Sequence, residues 1–291
     1  MYEIFNVGAV RGSEAFLLIN DEGTVLIDTG FAFCADEMIK NAEARLNGRK
    51  LDSIFLTHSH YDHASGVPYC REKWPEVKVY AAAYAKRVFE RAGALKTIRE
   101  MNDNAAVVYG QPEYRRLDAG LSVDVPVFEG DTISVGNMDF KVFETPGHTM
   151  DCISFWCEAE KLLISSETIG YPLLPEKVSP TFLVGYAMTI DSVRKLRALG
   201  AEKQLVSHLG VVDKPVIEEF LVKSEVWMEK TRDMILEAHA RGLDNEEIMA
   251  LLKKEFYEGE IISLQPEKAF DLNAFYMVNM IIRECAPKAQ D

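Results

Sequence analysis

The sequence predicts an α/β protein, a four-layer αβ/βα sandwich of two mixed β-sheets flanked by helices, and two observations carry that prediction. The first is an internal echo. Residues 15–19 and 24–28 (Ala15-Phe16-Leu17-Leu18-Ile19 and Thr24-Val25-Leu26-Ile27-Asp28) are apolar runs around Asn20-Asp21-Glu22-Gly23, the pattern of a β-hairpin. Residues 149–169 repeat it, with Cys152-Ile153-Ser154-Phe155-Trp156 and Leu162-Leu163-Ile164-Ser165 on either side of a charged turn. The second is that each hairpin leads into a helical pattern and then an apolar strand running into a histidine. Two sheets of similar layout, packed face to face with helices outside, satisfy both.

In the first half the helix falls near 33–46, closed by Gly48 at a left-handed stop, and the strand is Ile54-Phe55-Leu56-Thr57-His58. A further strand is expected at Val77-Lys78-Val79-Tyr80 and another near 123–127. Between them, residues 82–118 are rich in helix formers and charge and read as a helical insertion. In the second half the helix falls near 190–199, closed by Gly200, and the strand is Gln204-Leu205-Val206-Ser207-His208. From Asp213 the chain reads as helical. Ile217, Phe220, Leu221, Trp227, Met228, Met234, Ile235 and Ala238 recur at helical spacing, with Asp213 as cap, Pro215 in the first turn and Gly242 as stop. Asp244-Asn245-Glu246-Glu247 opens a second helix with a capping-box pattern, and a third spans 266–284. The expected organisation is a catalytic domain over 1–212 and a helical lid or side wall over 213–291.

Bulk properties narrow the function. The chain has 291 residues, 48% hydrophobic and 27% charged, ordinary values for a soluble globular protein. A net charge of −14, with no Lys/Arg run, argues against nucleic acid or an anionic membrane surface as the main partner. No apolar stretch reaches the ~20 residues of a membrane span. The start, Met1-Tyr2-Glu3-Ile4-Phe5, lacks the layout of a signal peptide, and the five scattered cysteines contain no C-x-x-C pair. A cytoplasmic protein with reduced, buried thiols is expected, acting on a small molecule; apolar helical faces would allow a homodimer.

The chemistry is concentrated in histidine. Five of the six histidines fall in three short motifs: Thr57-His58-Ser59-His60-Tyr61-Asp62-His63, Pro146-Gly147-His148-Thr149 and Ser207-His208-Leu209-Gly210. His239, with acidic neighbours, is expected at the surface. Side chains alternate along an extended segment, so His58 and His60 point one way, while Asp62 and His63 come after the turn and can serve a second position. Imidazole and carboxylate suit zinc, iron or manganese, and a catalytic site keeps one place open for water. Two divalent ions, zinc favoured and iron or manganese accepted, are therefore expected.

At these residues, over roughly 4–212, the chain resembles the metallo-β-lactamase-fold hydrolase superfamily. The resemblance implies that His58, His60 and His148 hold one metal and Asp62, His63 and His208 the other. Relatives normally supply a bridging aspartate after the His148 motif; here Glu167 stands in that place, 19 positions on, and Asp151 is too close to His148 to take it. The resemblance also matches Asp28-Thr29-Gly30, and implies that Asp28 orients a ligand histidine. The helical insertion and helical final third resemble the hydroxyacylglutathione hydrolase and quinolone-signal thioesterase branch. Flavodiiron oxygen reductases share the fold but place a glutamate inside the first motif, where this chain has Ser59 and Tyr61.

The resemblance implies hydrolysis, with a metal-bound hydroxide attacking an ester-like bond, thioester or lactone ahead of phosphodiester. Asp62 would hold metal and shuttle a proton. Tyr61 could donate to a developing oxyanion, or simply pack beside the metals. Glu167, one methylene longer than aspartate, is expected to bridge metals that sit slightly displaced, to bind only one metal, or to leave both and act as a base. Tyr171 and Tyr186 are expected to line the pocket, and Phe275, Met277 and Met280 to pack or to present an apolar face. Two other readings stay open: a diiron redox or oxygen-binding protein, and a metal-containing sensor or effector acting through a partner.

Overall fold

The computed structural model describes residues 1–117, 119–173, 177–259 and 261–287, so the last residue of the expected 82–118 insertion and the last four of the chain lie outside the described residues. The strands, in chain order, are β1 (Tyr2–Asn6), β2 (Phe16–Asn20), β3 (Thr24–Ile27), β4 (Ser53–Phe55), β5 (Lys78–Ala82), β6 (Val125–Val127), β7 (Thr132–Val135), β8 (Met138–Glu144), β9 (Ile153–Cys157), β10 (Leu162–Ser165), β11 (Tyr171–Leu173), β12 (Lys177–Ser179), β13 (Lys203–Val206) and β14 (Gly210–Asp213). The helices are α1 (Ala35–Leu46), α2 (Tyr61–Ala64), α3 (Val67–Lys73), α4 (Ala83–Phe89), α5 (Ala92–Val108), α6 (Tyr186–Arg197), α7 (Val216–Ala240), α8 (Asn245–Phe256), α9 (Ile261–Leu264) and α10 (Glu267–Cys285).

Two six-stranded sheets carry the fold, ordered β1-β2-β3-β4-β5-β6 and β14-β13-β10-β9-β8-β7. Both are mixed. In the first, β1, β2 and β3 pair antiparallel and β3 to β6 parallel. In the second, β7 to β10 pair antiparallel and β10 with β13 parallel. The α/β class expected from the sequence is what the chain adopts, and the two hairpins join β2 to β3 and β9 to β10.

The chain falls into two compact units, neither of them a single stretch. The first comprises residues 1–144, 151–166 and 203–211 and holds β1 to β10 and β13 whole; the second comprises 145–150, 167–202 and 212–291. Along the chain the last crossing from the first unit to the second falls between Val211 and Val212.

Within the first unit, one apolar core joins the inner faces of both sheets, from Leu18, Val25 and Ile27 on one side to Val142, Ile153 and Ile164 on the other. Its centre is aromatic. Phe55 of β4 stacks on Phe155 of β9 at 4.6 Å and meets Phe140 of β8 edge-on at 5.6 Å. Such pairs add ~0.5–1.5 kcal/mol beyond their buried area, and here they fix the strand that runs directly into Thr57 and His58. The outer face of the first sheet is covered by α1, which buries Met38, Ile39, Ala42 and Leu46 at helical spacing. The expected stop is present, with Asn47 at φ +48 and Gly48 at φ +88. Residues 83–89 and 92–108 are helical, as α4 and α5.

In the second unit, α7 buries Ile217, Phe220, Leu221, Met228, Ile235 and Ala238, while Trp227 and Met234 are half-buried. The Trp227 ring meets Phe256 of α8 edge-on at 5.9 Å. The expected start of α7 is corrected: Asp213 ends β14 rather than capping, and Pro215 occupies the cap position. Helix α6 begins at Tyr186, earlier than expected, and Glu284 of α10 accepts from the Tyr186 and Ala187 amides at 2.8 and 2.9 Å, placing a carboxylate where the helix dipole favours it. The capping box at α8 is formed, with Asp244 accepting from the Glu247 amide and Glu247 from the Asp244 amide, both at 2.9 Å. His239 sits exposed in the last turn of α7.

All five cysteines are free thiols and four are buried. Burial pushes Cys34 up to about 11 and Cys70 up to about 12, so both stay protonated at neutral pH. Among the described residues, no helix is long and apolar enough to cross a membrane.

Candidate metal centre

The first unit assembles five of the predicted groups. Beyond β4 the chain turns through Thr57-His58-Ser59-His60 into the single-turn α2, which carries Asp62 and His63. The His58 ring lies 4.8 Å from that of His60 and 4.1 Å from that of His63. Just past β13, the His208 ring lies 5.0 Å from His63. Asp62 Oδ2 stands 3.7 Å from His63 Nε2 and 3.8 Å from His208 Nε2.

A template in the loop after β3 holds this arrangement. Asp28 Oδ1 accepts from the Thr57 amide at 2.8 Å, and Oδ2 accepts from the Thr57 hydroxyl at 2.9 Å and from His63 Nδ1 at 2.8 Å. Thr29 donates its amide and its hydroxyl to the His63 carbonyl, at 2.6 and 2.9 Å, and accepts from the Gly66 amide at 3.1 Å. Gly66 approaches Thr29 so closely that a Cβ there would strike the Thr29 carbonyl oxygen, which is why glycine stands at 66. Asn102 of α5 adds a third brace: its carboxamide accepts from the Ala32 amide at 2.8 Å and donates to Ser65 Oγ at 2.7 Å.

These partners also fix the tautomers. A carboxylate can only accept, so His63 carries its hydrogen on Nδ1 and presents the Nε2 lone pair. The Thr57 hydroxyl gives its hydrogen to Asp28, so at 3.1 Å it accepts from His58 Nδ1, and His58 presents Nε2 likewise. His208 Nδ1 donates to Glu14 at 2.8 Å. Burial raises the Glu14 carboxyl, but the hydrogen bond and charge of His208 and the Gly12 amide outweigh it and leave it below its ordinary value. Sequence reasoning missed Glu14 and Asn102; neither stands in a recognisable motif.

The second unit brings together the other two predicted groups. His148 comes after Gly147 and donates Nδ1–H to the Thr181 carbonyl at 2.8 Å, which turns its Nε2 to Glu167 Oε2 at 3.0 Å. The Thr181 hydroxyl in turn donates to the Glu167 carbonyl. A ring nitrogen lone pair and a carboxylate at that separation need a proton or a cation between them. The donor chemistry in both units, imidazole Nε2 with carboxylate oxygen, fits zinc, iron or manganese.

The remaining predicted residues sort themselves by packing. Tyr61 is half-buried with its ring 5.5 Å from Phe31, in an aromatic group with Phe33 and Tyr109. Tyr171 and Tyr186 are buried, as are Met277 and Met280, whereas Phe275 is exposed.

The family profile described as the metallo-beta-lactamase superfamily matches residues 8–208. Curated proteins named hydroxyacylglutathione hydrolase are similar: one from Bradyrhizobium sp. (strain ORS 278) is 29% identical over 182 residues, 62% of this chain and 56% of that protein. Another from Methylobacterium nodulans is 32% identical over 160 residues, 53% of this chain and 50% of that protein. The chain thus spans about half the length of the curated relatives it matches. A solved metallo-beta-lactamase family protein from Thermus thermophilus superposes with a TM-score of 0.67 at 18% identity, covering 97% of this chain and 93% of that one.

Proposed function

This chain belongs to the metallo-beta-lactamase superfamily, and on that premise we propose that it is a metal-dependent hydrolase of an ester-like bond in a small molecule. A thioester is the favoured class, supported by the relatives named hydroxyacylglutathione hydrolase; a lactone comes second. The observation that carries the reading is the shared state of four imidazoles. His58, His63, His148 and His208 each have Nδ1 engaged by an oxygen, which leaves Nε2 to ligate. By the motif resemblance, His58, His60 and His148 would hold one metal and Asp62, His63 and His208 the other, with Glu167 standing where the family has an aspartate.

Divalent ions held in this way acidify water and polarise a carbonyl. The chain's own residues supply the rest. Asp28 and Glu14 keep His63 and His208 in the ligating tautomer. The Asp62 carboxylate, 20% exposed, takes the proton released as water attacks and returns it to the departing thiolate sulfur or alkoxide oxygen. Tyr61, packed against Phe31, shapes the loop that carries Asp62. Glu167 stands in place of the shorter aspartate, and its longer side chain loses more rotamer freedom on being fixed, so it would hold a second metal less tightly.

Elemental analysis of purified protein, with assays on thioesters, lactones, β-lactams and phosphodiesters, tests the reading. The expected result is about two divalent ions per chain and turnover of a thioester or lactone. Fully metal-loaded protein inert on every ester-type substrate would sink the hydrolase. Glu167→Asp should bind its second metal more tightly than the native chain; two equally tight metals in both proteins would refute the weakening.

A further inference from the structure

We propose that Glu14 is a positioning residue for His208: it aims the Nε2 of that ring and raises its basicity, and so sets how tightly the chain holds a metal at the Asp62–His63–His208 position. This rests on the metal-centre reading above. Glu14 lies just before β2, in a segment without any ligand motif, yet its Oε2 accepts from His208 Nδ1 at 2.8 Å, with the two side chains 10% and 8% exposed. The carboxylate is itself anchored, since both oxygens accept from the Gly12 amide at 3.2 and 3.0 Å. A buried carboxylate is costly unless it is paired, and the imidazole is its partner.

The backbone gives a second, independent reason. His208 sits at φ +60, a left-handed conformation that a residue with a β-carbon seldom adopts and that persists only where the surroundings impose it. The Glu14 bond is one of the contacts made by the residue so held. Asp28 is a comparable case: it too has positive φ, at +56, and it stands behind His63 as Glu14 stands behind His208. Glu14, Asp28 and His63 line one small cavity, closed by Ser165 and Ser207. Both imidazoles at this position therefore have an anionic acceptor on Nδ1, whereas His58 has a hydroxyl and His148 a carbonyl. An anionic acceptor makes the ligand nitrogen more basic and strengthens its bond to a metal.

The test is metal titration of Glu14→Gln, which keeps the side-chain size and an oxygen for the Gly12 amide but removes the charge. Metal-free wild-type and variant proteins are titrated with cobalt(II), monitored by visible absorption, and with zinc against a chromophoric chelator. One of two dissociation constants should weaken about 10–100-fold while the other holds, with an altered cobalt band and unchanged circular dichroism. Glu14→Asp, too short to keep the distance but still charged, should fall between. Two unchanged constants would overturn the inference, as would equal weakening of both. Wild-type protein that takes up no metal at all would instead bring down the metal centre, and this inference with it.

Discussion

Within the first unit two strands run into imidazoles, β4 and β13, and they are braced in opposite ways. Beyond β4, four ligand-type groups crowd into positions 58–63. The Asp28-Thr29 pair meets that loop with hydrogen bonds to Thr57, His63 and Gly66. Beyond β13 a single ligand-type group, His208, is held in left-handed backbone with one carboxylate behind its ring. Crowded ligands need a template, because each loop residue left loose would cost the rest their geometry. A lone ligand needs only one firm contact, and that contact can come from anywhere in the chain.

The largest test of this contrast is Asp28→Ala. It strips an acceptor from three buried donors, two on Thr57 and one on His63. A loss of about 3–5 kcal/mol is expected in urea unfolding, because the orphaned groups keep their desolvation cost. Asp28→Asn, which tolerates positive φ, should lose clearly less. Next comes Asn102→Ala, which removes the tie between α5, Ala32 and Ser65; about 2 kcal/mol should be lost by the same measurement. Thr57→Val should cost least, about 1 kcal/mol, since the Asp28–His63 bond and the Thr57 amide survive it. If Thr57→Val proved as damaging as Asp28→Ala, the template would lie in the threonine hydroxyl and not in the aspartate.

Much of this is legible in the sequence, for reasons that are physical. The hairpins β2–β3 and β9–β10 show because apolar runs of four and five residues flank polar turns. The α8 capping box and the α7 stripe are local, within reach of spacing arguments. The ribbon β11–β12 and the strand β14 do not show, being three or four residues long, too short for a period to repeat. Asp213 misleads for that reason: a polar residue shortly before Pro215 reads as the start of α7, although a short strand claims it first. In the site, Asp28 is readable because Asp-Thr-Gly is a motif. Glu14 is not, since its partner lies 194 positions away and nothing local marks it. Asn102 is hidden inside an ordinary helical pattern.

The separation of Glu14 and His208 along the chain has a meaning in time as well. A ribosome adds about 5–20 residues per second, so the histidine emerges roughly 10–40 s after the carboxylate that receives it. The first unit closes only with residues 203–211, its last short segment. During that interval the nascent chain already displays the crowded loop of 58–63 together with the residues of its template, while β13 and β14 of the second sheet are still unmade. Glu14 spends it as a carboxylate waiting for a partner, and the last segment to arrive brings that partner with it.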